Sequence, residues 1–333
     1  MDEFGLIAAL AKRLPKPGND VLLGIGDDAA VVRTSTAPFV VTTDTMVEGV
    51  HFLPTTITDY NLGYKALAVS VSDVAAMGGR PKYAVVSLAI PSAWGEARLE
   101  QVYDGLRENT ERFGCDVVGG DVVSTSGPLV ITTTVIGEAE NPIPRSGAKP
   151  GDILFVTGSL GGSSAGLQVM QEVTSASGIA QARLVERHQR PEPRVGIGTL
   201  CARFGVHALN DVSDGLASEL HEISVASGVR CVVEADQVPV MPEVKELARG
   251  LHRDPLDYAL YGGEDFELVG AASNRAFASL LAAASAMQVP VTRIGRCDDG
   301  DGVVMHRANG HLEVLEPKGY NHFKRVDTRS GRE

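Results

Sequence analysis

The chain has 333 residues, 44% of them apolar, which is enough to fill two hydrophobic cores and favours two domains over one. Its 42 acidic residues outnumber its 30 lysines and arginines, and no basic tract is present, so no nucleic-acid partner is expected. The N-terminus has no basic segment before its apolar residues, and no apolar run reaches the roughly 18 residues that cross a membrane. Its four cysteines show no Cys-x-x-Cys spacing and predict free thiols. The sequence therefore predicts a cytoplasmic protein that does not associate with membranes.

Short β-branched segments bounded by Gly, Pro or Asp predict strands in the first half of the chain. In chain order these segments are "DVLLGIG", "PFVVTTD", "KYAVVSLAI", "CDVVGG" and "PLVITTTVIGE". Two helices are predicted among them. The first covers residues 60–77, is rich in Ala and Leu, and is stopped by Gly78 and Gly79. The second covers residues 94–113 and ends at Gly114.

A polar segment, "NPIPRSGAKPGD", holds three prolines and two glycines and predicts a domain boundary, with domains at residues 1–143 and 144–333. Beyond it, "DILFVTG" predicts a strand that leads through a glycine-rich turn into a helix. Further strands are predicted at "RCVVEAD", "DFELVGAA", "VTRIGRC" and "GVVMHR", alternating with helices such as "DGLASELHEISVASG" and "RAFASLLAAASAM". Both halves are therefore expected to mix α and β structure.

Familiar phosphate and catalytic motifs match this sequence only formally. "GIGDDA" satisfies the dinucleotide pattern G-x-G-x-x-A, but its two carboxylates would repel a pyrophosphate. "GSSAG" satisfies G-x-S-x-G, yet the apolar run before it stops at Val156, too early for a serine at a strand-to-helix elbow. No Walker motif, D-F-G or H-R-D sequence is present, which argues against a Walker-type kinase and a protein kinase.

Carboxylates follow the apolar runs of this sequence with unusual regularity. In chain order they are Asp27, Asp28, Asp44, Asp121, Asp211, Asp214, Glu264 and Asp265. Asp73 differs, because it lies inside the Ala-rich helical segment, where a mostly buried position is expected. A buried carboxylate needs a partner, and few basic residues lie near these positions in the sequence.

Taken singly, each of these carboxylates is typical of a helix N-cap or a turn. Taken together in an acidic protein, they indicate divalent cations, which prefer oxygen ligands. Bound Mg²⁺ would also let an acidic site accept a polyphosphate, because the metal bridges carboxylate and phosphate oxygens. Without metal, the crowded carboxylates are expected to raise each other's pKa, and Mg·nucleotide is expected to raise the melting temperature.

Nine segments in a fixed order carry a resemblance that covers nearly the whole chain. They are "GIGDDAA", "TTDTMVEGVHF", "YKALAVSVSDVAAMG", "GGD", "RSGAKPGD", "RHQRPEPR", "DVSDGL", "GGEDFEL" and "GYNHF". Together they resemble the thiamine-monophosphate kinases of the aminoimidazole ribonucleotide synthetase superfamily. "TDTMVEGVHF" and "GYNHF" resemble these kinases more than the sibling families of purine synthesis, selenophosphate synthesis and hydrogenase maturation.

The resemblance implies a two-domain α/β fold, with an N-terminal mixed sheet that pairs across a homodimer and a C-terminal α/β domain. It implies an ATP site in the N-terminal half near the partner subunit. The implied reaction transfers the γ-phosphoryl group of ATP to thiamine monophosphate, giving thiamine diphosphate in the last step of its biosynthesis, with several Mg²⁺ ions bound.

The resemblance also assigns roles to individual residues. The implied metal ligands are Asp27, Asp28, Thr42, Thr43, Asp44, Asp73, Asp121, Asp211 and Asp214. The implied ATP contacts are Tyr103, Gly120, Asp121, Arg145 and Ser213, and the implied thiamine monophosphate contacts are His51, Glu264 and Tyr320. Asp73, Asp121 and Arg145 are the residues expected to act on the transferring group.

Elementary chemistry agrees with these roles, because phosphoryl transfer needs in-line geometry and charge neutralisation rather than covalent help. The acceptor is already an ionised phosphate, so no general base is expected. Two alternatives use the same aspartates. One is a sibling ATP-dependent synthetase that activates an amide or a small anion, and the other is a nonenzymatic nucleotide or metal sensor.

Overall fold

The computed structural model describes residues 9–10, 12–23, 31–32, 36–171, 178–307 and 310–318. The strands of the N-terminal half are β1 (Val21–Leu23), β2 (Val31–Val32), β3 (Phe39–Val47), β4 (Arg80–Pro91), β5 (Asp116–Thr125) and β6 (Val130–Glu138). β1 pairs with β2, and the other four strands form a sheet in the order β3-β6-β4-β5. β4 and β5 are parallel and the other two pairings are antiparallel, so the sheet is mixed, as predicted.

Two helices of the N-terminal half were predicted to within two residues. Helix α1 (Asp59–Ala76) begins at Thr58, whose side chain accepts a hydrogen bond from the amide of Asn61. It stops where Gly78 takes a left-handed φ of 71°. Helix α2 (Glu96–Phe113) starts two residues later than predicted, because Trp94 instead packs into the core.

The four-stranded sheet has one face that is buried under helix α1 and a second face that is exposed. Alternate residues of β6 are buried, and the same alternation places Met46 of β3 in the core. The residues between them lie on the other face, where Val41 is 64% exposed and Val123 is 49% exposed. Within the described residues, nothing covers this second face, which we call the open face.

The strands of the C-terminal half form a seven-stranded sheet. They are β7 (Ile153–Thr157), β8 (Ala208–Asp211), β9 (Arg230–Glu234), β10 (Leu268–Ala272), β11 (Val291–Asp298), β12 (Val303–His306) and β13 (Leu312–Val314). Their order across the sheet is β13-β12-β9-β11-β7-β10-β8. β12 and β9 are parallel, and the other neighbours are antiparallel.

The described helices of the C-terminal half pack beside this sheet. They are α3 (Gly162–Gln171), α4 (Gly178–Gln189), α5 (Val195–Phe204), α6 (Leu216–Ser227), α7 (Pro242–Gly250), α8 (Pro255–Tyr261) and α9 (Asn274–Ala286). Residues 139–152 form neither helix nor strand, in agreement with the Pro- and Gly-rich composition of that segment. The first sheet precedes this segment and the second follows it.

Three apolar clusters hold these layers together. One lies between the four-stranded sheet and helices α1 and α2, and a second lies within the C-terminal half. The third contains Ala75 and Ala76 at the end of α1 together with Phe155, Ile197 and Leu209 of the C-terminal half. The end of α1 is therefore buried against the second half of the chain as well as the first.

Two further predictions can be compared with the structure. All four cysteines are free, and all four are buried. No helix among the described residues combines the length and apolar character needed to cross a membrane.

Candidate functional site at the junction of the two halves

Helix α1 forms the centre of the candidate site because every side of it is covered. It packs against β3 and β6 of the first sheet, against α2, and against α5 and β8 of the C-terminal half. From Leu62 to Ala76, every residue except Asp73 is buried. An Ala-rich sequence suits this position, since small side chains let neighbouring elements approach a helix closely. Asp73 is therefore the point at which the helix opens onto a cleft.

Three predicted metal ligands converge at this opening, and each accepts a hydrogen bond from a hydroxyl group. Asp73 accepts one from Thr42. Asp44 accepts one from Ser70 at 2.8 Å, and Asp211 accepts one from Ser72 at 2.6 Å. Ser70 and Ser72 are two positions apart on the helix, which turns their side chains about 200° from each other. Ser70 therefore faces the first sheet, while Ser72 faces the C-terminal half. The helix thus joins carboxylates from both halves of the chain.

These carboxylates are costly to ionise where they lie. Burial, together with the like charges of Asp211 and Asp44, raises the pKa of Asp73 to about 7. Burial also raises the pKa of Asp211 to about 6 and raises the pKa of Asp44. The expected like-charge effect acts on the pKa of Asp73 and of Asp211, whereas the hydrogen bond with Asp73 lowers the pKa of Asp44. In the described part of the chain, no lysine or arginine forms an ion pair with any of the three.

The donor set suits hard divalent cations held partly by substrate. Among the residues that the structure describes, no three Asp, Glu, His or Cys side chains come close enough to bind one ion. Mg²⁺ is commonly held by one or two carboxylates, with phosphate and water oxygens completing its octahedron. Asp44, Asp73 and Asp211 fit that arrangement, because each presents carboxylate oxygens that lack a cationic partner.

A first prediction concerns the stability of the metal-free protein. The pKa of Asp73 is about 7 in the folded chain, against 3.8 for a free side chain. Its contribution to the free energy of unfolding is therefore complete below about pH 4 and is lost as the pH rises through about 7. Asp73→Asn should therefore melt higher than the wild type in a chelator, with a difference that grows between about pH 5.5 and about pH 8. Thermal melts of both proteins at the two pH values measure this.

Other buried groups titrate in the same range but are common to both proteins. Burial lowers the pKa of His188 to about 4 and raises the pKa of Asp265 to about 7. These contributions have opposite signs, and they cancel in the comparison of variant with wild type. A melting-temperature difference that stayed constant with pH would show that Asp73 does not titrate as described.

The loop after β8 presents the other predicted residues of this half. Glu219, buried at the start of α6, accepts hydrogen bonds from the amide of Asp214 at 2.9 Å and from the hydroxyl of Ser213 at 3.2 Å. Burial and the charge of Asp211 raise the pKa of Glu219 to about 8. Asn210 also donates to Glu219. Glu219 therefore shapes the loop that carries Ser213 and Asp214.

Arg145 lies beside this loop on the connection between the two halves. Its Nε donates to the side-chain oxygen of Asn210 at 2.9 Å and lies 3.2 Å from a carboxylate oxygen of Glu222. The Arg145 side chain is 53% exposed, so an incoming phosphate can reach it. Its positive charge also lowers the pKa of Asp73 and of Asp211, and so partly offsets the increase that burial causes.

The predicted thiamine monophosphate contacts His51 and Glu264 lie on the same side of α1. His51 follows β3, and its ring nitrogen Nδ1 accepts from the amide of Val47 at 3.0 Å. His51 lies close enough to influence the pKa of both Asp44 and Glu264. Glu264 binds Nζ of Lys65 at 2.9 Å, and its amide donates to the carbonyl of Ser213 at 2.6 Å. The structure thus places His51 near Asp44, whereas Glu264 lies beside Lys65, nearer the N-terminal end of α1.

The serine at the nucleophile position of "GSSAG" is Ser164, and its hydroxyl donates to the carbonyls of Gly161 and Tyr258 at 3.3 Å each rather than to a histidine. The preceding Ser163 is fully buried, and its hydroxyl lies 3.0 Å from Nδ1 of His188. Glu264 approaches the same nitrogen of His188 at 3.4 Å. In a catalytic triad the serine and the carboxylate contact different nitrogens of the histidine ring, so this arrangement is not a triad. Asp265 accepts from the amides of Gly161 and Ser163 at the start of α3, so it caps a helix that lies more than 100 residues earlier in the chain rather than one that it begins.

Asp121, Gly120 and Thr43 lie away from the three carboxylates. Asp121 of β5 pairs with Ser87 of β4, and this row of paired residues continues across β6 to Thr45 of β3. Residues in one row share a face of the sheet, so Asp121 lies on the open face with Thr45. β5 and β3 are opposite edges of the sheet, about 14 Å apart at three strand spacings. Thr43 is also on the open face, where its hydroxyl lies 2.9 Å from that of Thr134.

Gly120 and Tyr103 have packing roles in the structure. A Cβ atom on Gly120 would lie 2.0 Å from the carbonyl oxygen of Val86, so only glycine fits this position. Tyr103 is 7% exposed within the N-terminal core, and burial raises its pKa to about 12. These positions explain both residues without a nucleotide. Their predicted contact with ATP stays a prediction.

Three predicted site residues, Asp27, Asp28 and Tyr320, lie outside the described residues. Sequence reasoning also missed several groups that the structure places at the site, which are Lys65, Ser70, Ser72, His188, Asn210 and Glu219. Polar residues inside the apolar "YKALAVSVSD" segment were the available signal for Lys65 and the two serines, because a buried polar side chain needs a partner.

Comparison with known proteins agrees with this two-part architecture. Residues 26–139 match the family model described as AIR synthase related protein, N-terminal domain. Residues 149–307 match the model described as AIR synthase related protein, C-terminal domain. The two halves of the fold are therefore the two domains of an AIR synthase related protein.

Individual relatives show to which family of AIR synthase related proteins the chain belongs. The chain is 44% identical to the thiamine-monophosphate kinase of Bacillus subtilis strain 168, over 97% of this chain and all of that protein. The chain belongs to the thiamine-monophosphate kinase family. A crystal structure of the Stenotrophomonas maltophilia K279a thiamine-monophosphate kinase superposes with a TM-score of 0.81 at 36% identity, covering 92% and 96% of the two chains. The structure of AaThiL complexed with AMPPCP and TMP has a TM-score of 0.78 at 33% identity, covering 96% and 97%.

Proposed function

We propose that this chain transfers the γ-phosphoryl group of ATP directly to the phosphate of thiamine monophosphate, giving thiamine diphosphate and ADP. The observation that carries the proposal is the convergence of Asp44, Asp73 and Asp211, which form no ion pair with a lysine or arginine in the described part of the chain, with His51 close to Asp44. Relatives named thiamine-monophosphate kinase match over the full chain, and one is described as complexed with AMPPCP and TMP. This reaction is the last step of thiamine diphosphate biosynthesis.

The chain's own residues bind, orient and neutralise charge. Asp44, Asp73 and Asp211 would hold several Mg²⁺ ions, which would supply the charge neutralisation that a polyphosphate needs at an acidic site. Asp44, Asp73 and Asp211 hold their oxygens toward one cleft because the hydroxyls of Ser70, Thr42 and Ser72 fix them. A set of Asp27, Asp28, Thr43, Asp121 and Asp214 completes the proposed metal ligands.

Arg145 is proposed to stabilise the transferring phosphoryl group. Its guanidinium exchanges its contacts with Asn210 and Glu222 for phosphate oxygens, which suit its planar donors. The acceptor phosphate is already ionised, so no residue has to remove a proton. In-line positioning and charge neutralisation then supply the rate enhancement.

The thiamine end of the substrate is proposed to contact His51, Glu264 and Tyr320. His51 is close enough to act on both Asp44 and Glu264, so the substrate phosphate can reach the carboxylates while the heterocycles extend past His51 toward Glu264. An aromatic ring such as that of Tyr320 can offer its face to the cationic thiazolium, worth about 0.5 to 2 kcal/mol.

A homodimer formed through the N-terminal sheets is also proposed. The open face exposes apolar side chains such as Phe39 and Val41, and β3 and β5 end the sheet as edge strands. Pairing β5 of a second subunit with the edge at β3 would place the strand that carries Asp121 next to the strand that carries Asp44, although these two strands lie at opposite edges of the sheet within one chain. The proposed ATP site is therefore shared between subunits.

A cytoplasmic location is proposed because the four free, buried thiols suit a reducing compartment.

The test of this function is an incubation with Mg·ATP and thiamine monophosphate, followed by chromatography of thiamine diphosphate and ADP. We expect both products in equal amounts and neither in a control without Mg²⁺. ADP without thiamine diphosphate would contradict the acceptor and favour a sibling synthetase that activates another group. Binding of Mg·ATP without any ADP would contradict an enzymatic function and favour a sensor.

A further inference from the structure

Lys65 is a buried charge in the middle of helix α1. It is fully buried, and its Nζ lies 2.9 Å from a carboxylate oxygen of Glu264, 199 residues later in the chain. In the described part of the chain, Lys65 makes no other ion pair or side-chain hydrogen bond. A lysine held so deeply needs its partner, since an unpaired buried ammonium group is strongly unfavourable. The pair therefore constrains both of its members.

Glu264 is held from several directions but remains accessible. Its side chain is 31% exposed, so a ligand can meet it from the cleft. Its backbone takes a left-handed φ of 67°, which a residue other than glycine rarely adopts. Its amide donates to the carbonyl of Ser213, and His188 approaches its carboxylate at 3.4 Å. Such an outlier, fixed by its surroundings, is typical of a functional site.

The surroundings also keep Glu264 ionised. Burial opposes ionisation, but Lys65, His188 and His51 together hold the pKa of Glu264 below its usual range. Lys65 contributes most to this lowering, followed by His188. The carboxylate can therefore accept hydrogen bonds from a ligand at neutral pH.

Helix α1 links this carboxylate to the phosphoryl-transfer centre. Lys65 precedes Asp73 by eight residues, about 12 Å along the helix axis at 1.5 Å per residue. Since the helix is buried on every side, this spacing is rigid. A substrate whose phosphate lies at Asp73 would present its far, heterocyclic end to Glu264.

The geometry points to Lys65 as a positioning residue that holds Glu264 in place for the heterocyclic end of the acceptor substrate. This inference rests on the proposed function, because it takes thiamine monophosphate to be that substrate. Lys65 itself touches neither the phosphate nor the carboxylates that hold metal. Its removal should therefore weaken binding of the acceptor and leave the chemistry of transfer largely unchanged.

The test compares Lys65→Met, which keeps the length of the side chain, with Lys65→Gln, which keeps a donor. We expect Lys65→Met to raise the KM for thiamine monophosphate about tenfold, with Lys65→Gln intermediate, while kcat and the KM for ATP change less than about twofold. Glu264→Gln should raise the same KM, and the double variant Lys65→Met with Glu264→Gln should be no worse than the poorer single variant.

Arg190→Met is the matched control, because it removes another ion pair across the same junction without touching Glu264. Arg190 pairs with Glu108 and lies over the ring of Tyr64. A merely structural effect of Lys65 would appear equally in this control. An equal rise of KM in Arg190→Met, additive single-variant effects, or a fall of kcat without a change in KM would each overturn the inference.

The failure of the proposed function would look different. Wild-type protein that bound thiamine monophosphate in calorimetry but made no thiamine diphosphate would contradict the function alone. The Lys65 variants would then be compared by their Kd for thiamine monophosphate, with the same tenfold weakening expected. Wild-type protein that did not bind thiamine monophosphate would overturn both statements.

Discussion

The Asp73→Asn variant is expected to lose at least about a thousandfold in kcat while remaining folded. Asparagine has the same size and can still accept the hydrogen bond that Thr42 donates. It removes a negative charge that acts together with those of Asp44 and Asp211, and with it the proposed metal ligand at the one residue between Leu62 and Ala76 that is not buried. Turnover of thiamine monophosphate with Mg·ATP, together with a circular dichroism spectrum, measures both parts of the expectation.

The matched control is Asp104→Asn, which removes an aspartate from helix α2 that pairs with Arg13. That aspartate also pairs with Arg107 and contacts none of the three carboxylates, so its loss should leave turnover unchanged. Turnover of Asp73→Asn within about tenfold of the wild type would contradict the role of Asp73 as a metal ligand.

The second large effect concerns Asp121→Asn. We expect this variant to lose activity, and we expect a heterodimer with a subunit that carries a different substitution to regain it. Each variant alone, Asp121→Asn or Asp73→Asn, should be inactive. A heterodimer with one subunit of each kind keeps one site with both aspartates if Asp121 acts on the neighbouring subunit, and should show about half of wild-type activity. Two affinity tags, one on each subunit, isolate that heterodimer for the assay.

The control heterodimer combines Asp73→Asn with Asp44→Asn, two changes on the same side of the shared site. Both of its sites lack a ligand, so no activity should return. An inactive heterodimer of Asp121→Asn with Asp73→Asn would show that Asp121 acts within its own chain. A monomeric wild-type protein in light scattering would contradict the shared site altogether.

Local sequence patterns determined most of the elements. The end of α1 was predicted correctly because Gly78 adopts a left-handed backbone conformation that other residues avoid. The strands around Asp44 and Asp121 were predicted because β-branched residues between turn signals suit a pleated sheet. Both signals act within a few residues, so they can be read without knowledge of the fold. The start of α2 was misplaced because the burial of Trp94 overrides its local preference.

The candidate site could be predicted only in part. The order of the carboxylates indicated that Asp44, Asp73 and Asp211 act together, and the structure does bring them together. Nothing in the sequence distinguished them from Asp265, which follows a similar pattern and caps a helix instead. The two kinds of aspartate differ in what surrounds them, and surroundings depend on how the elements pack.

The amino-acid sequence by itself determined the elements, the mixed character of both halves and the acidic residue types of the site. Only the tertiary structure decided that Ser72 would bind Asp211 and that Lys65 would bind Glu264. It also decided that Asp121 would lie on the open face, away from Asp44. The physical reason is range, since periodicity and turn chemistry act between neighbours, whereas these contacts join residues brought together by the burial of α1 between the two halves.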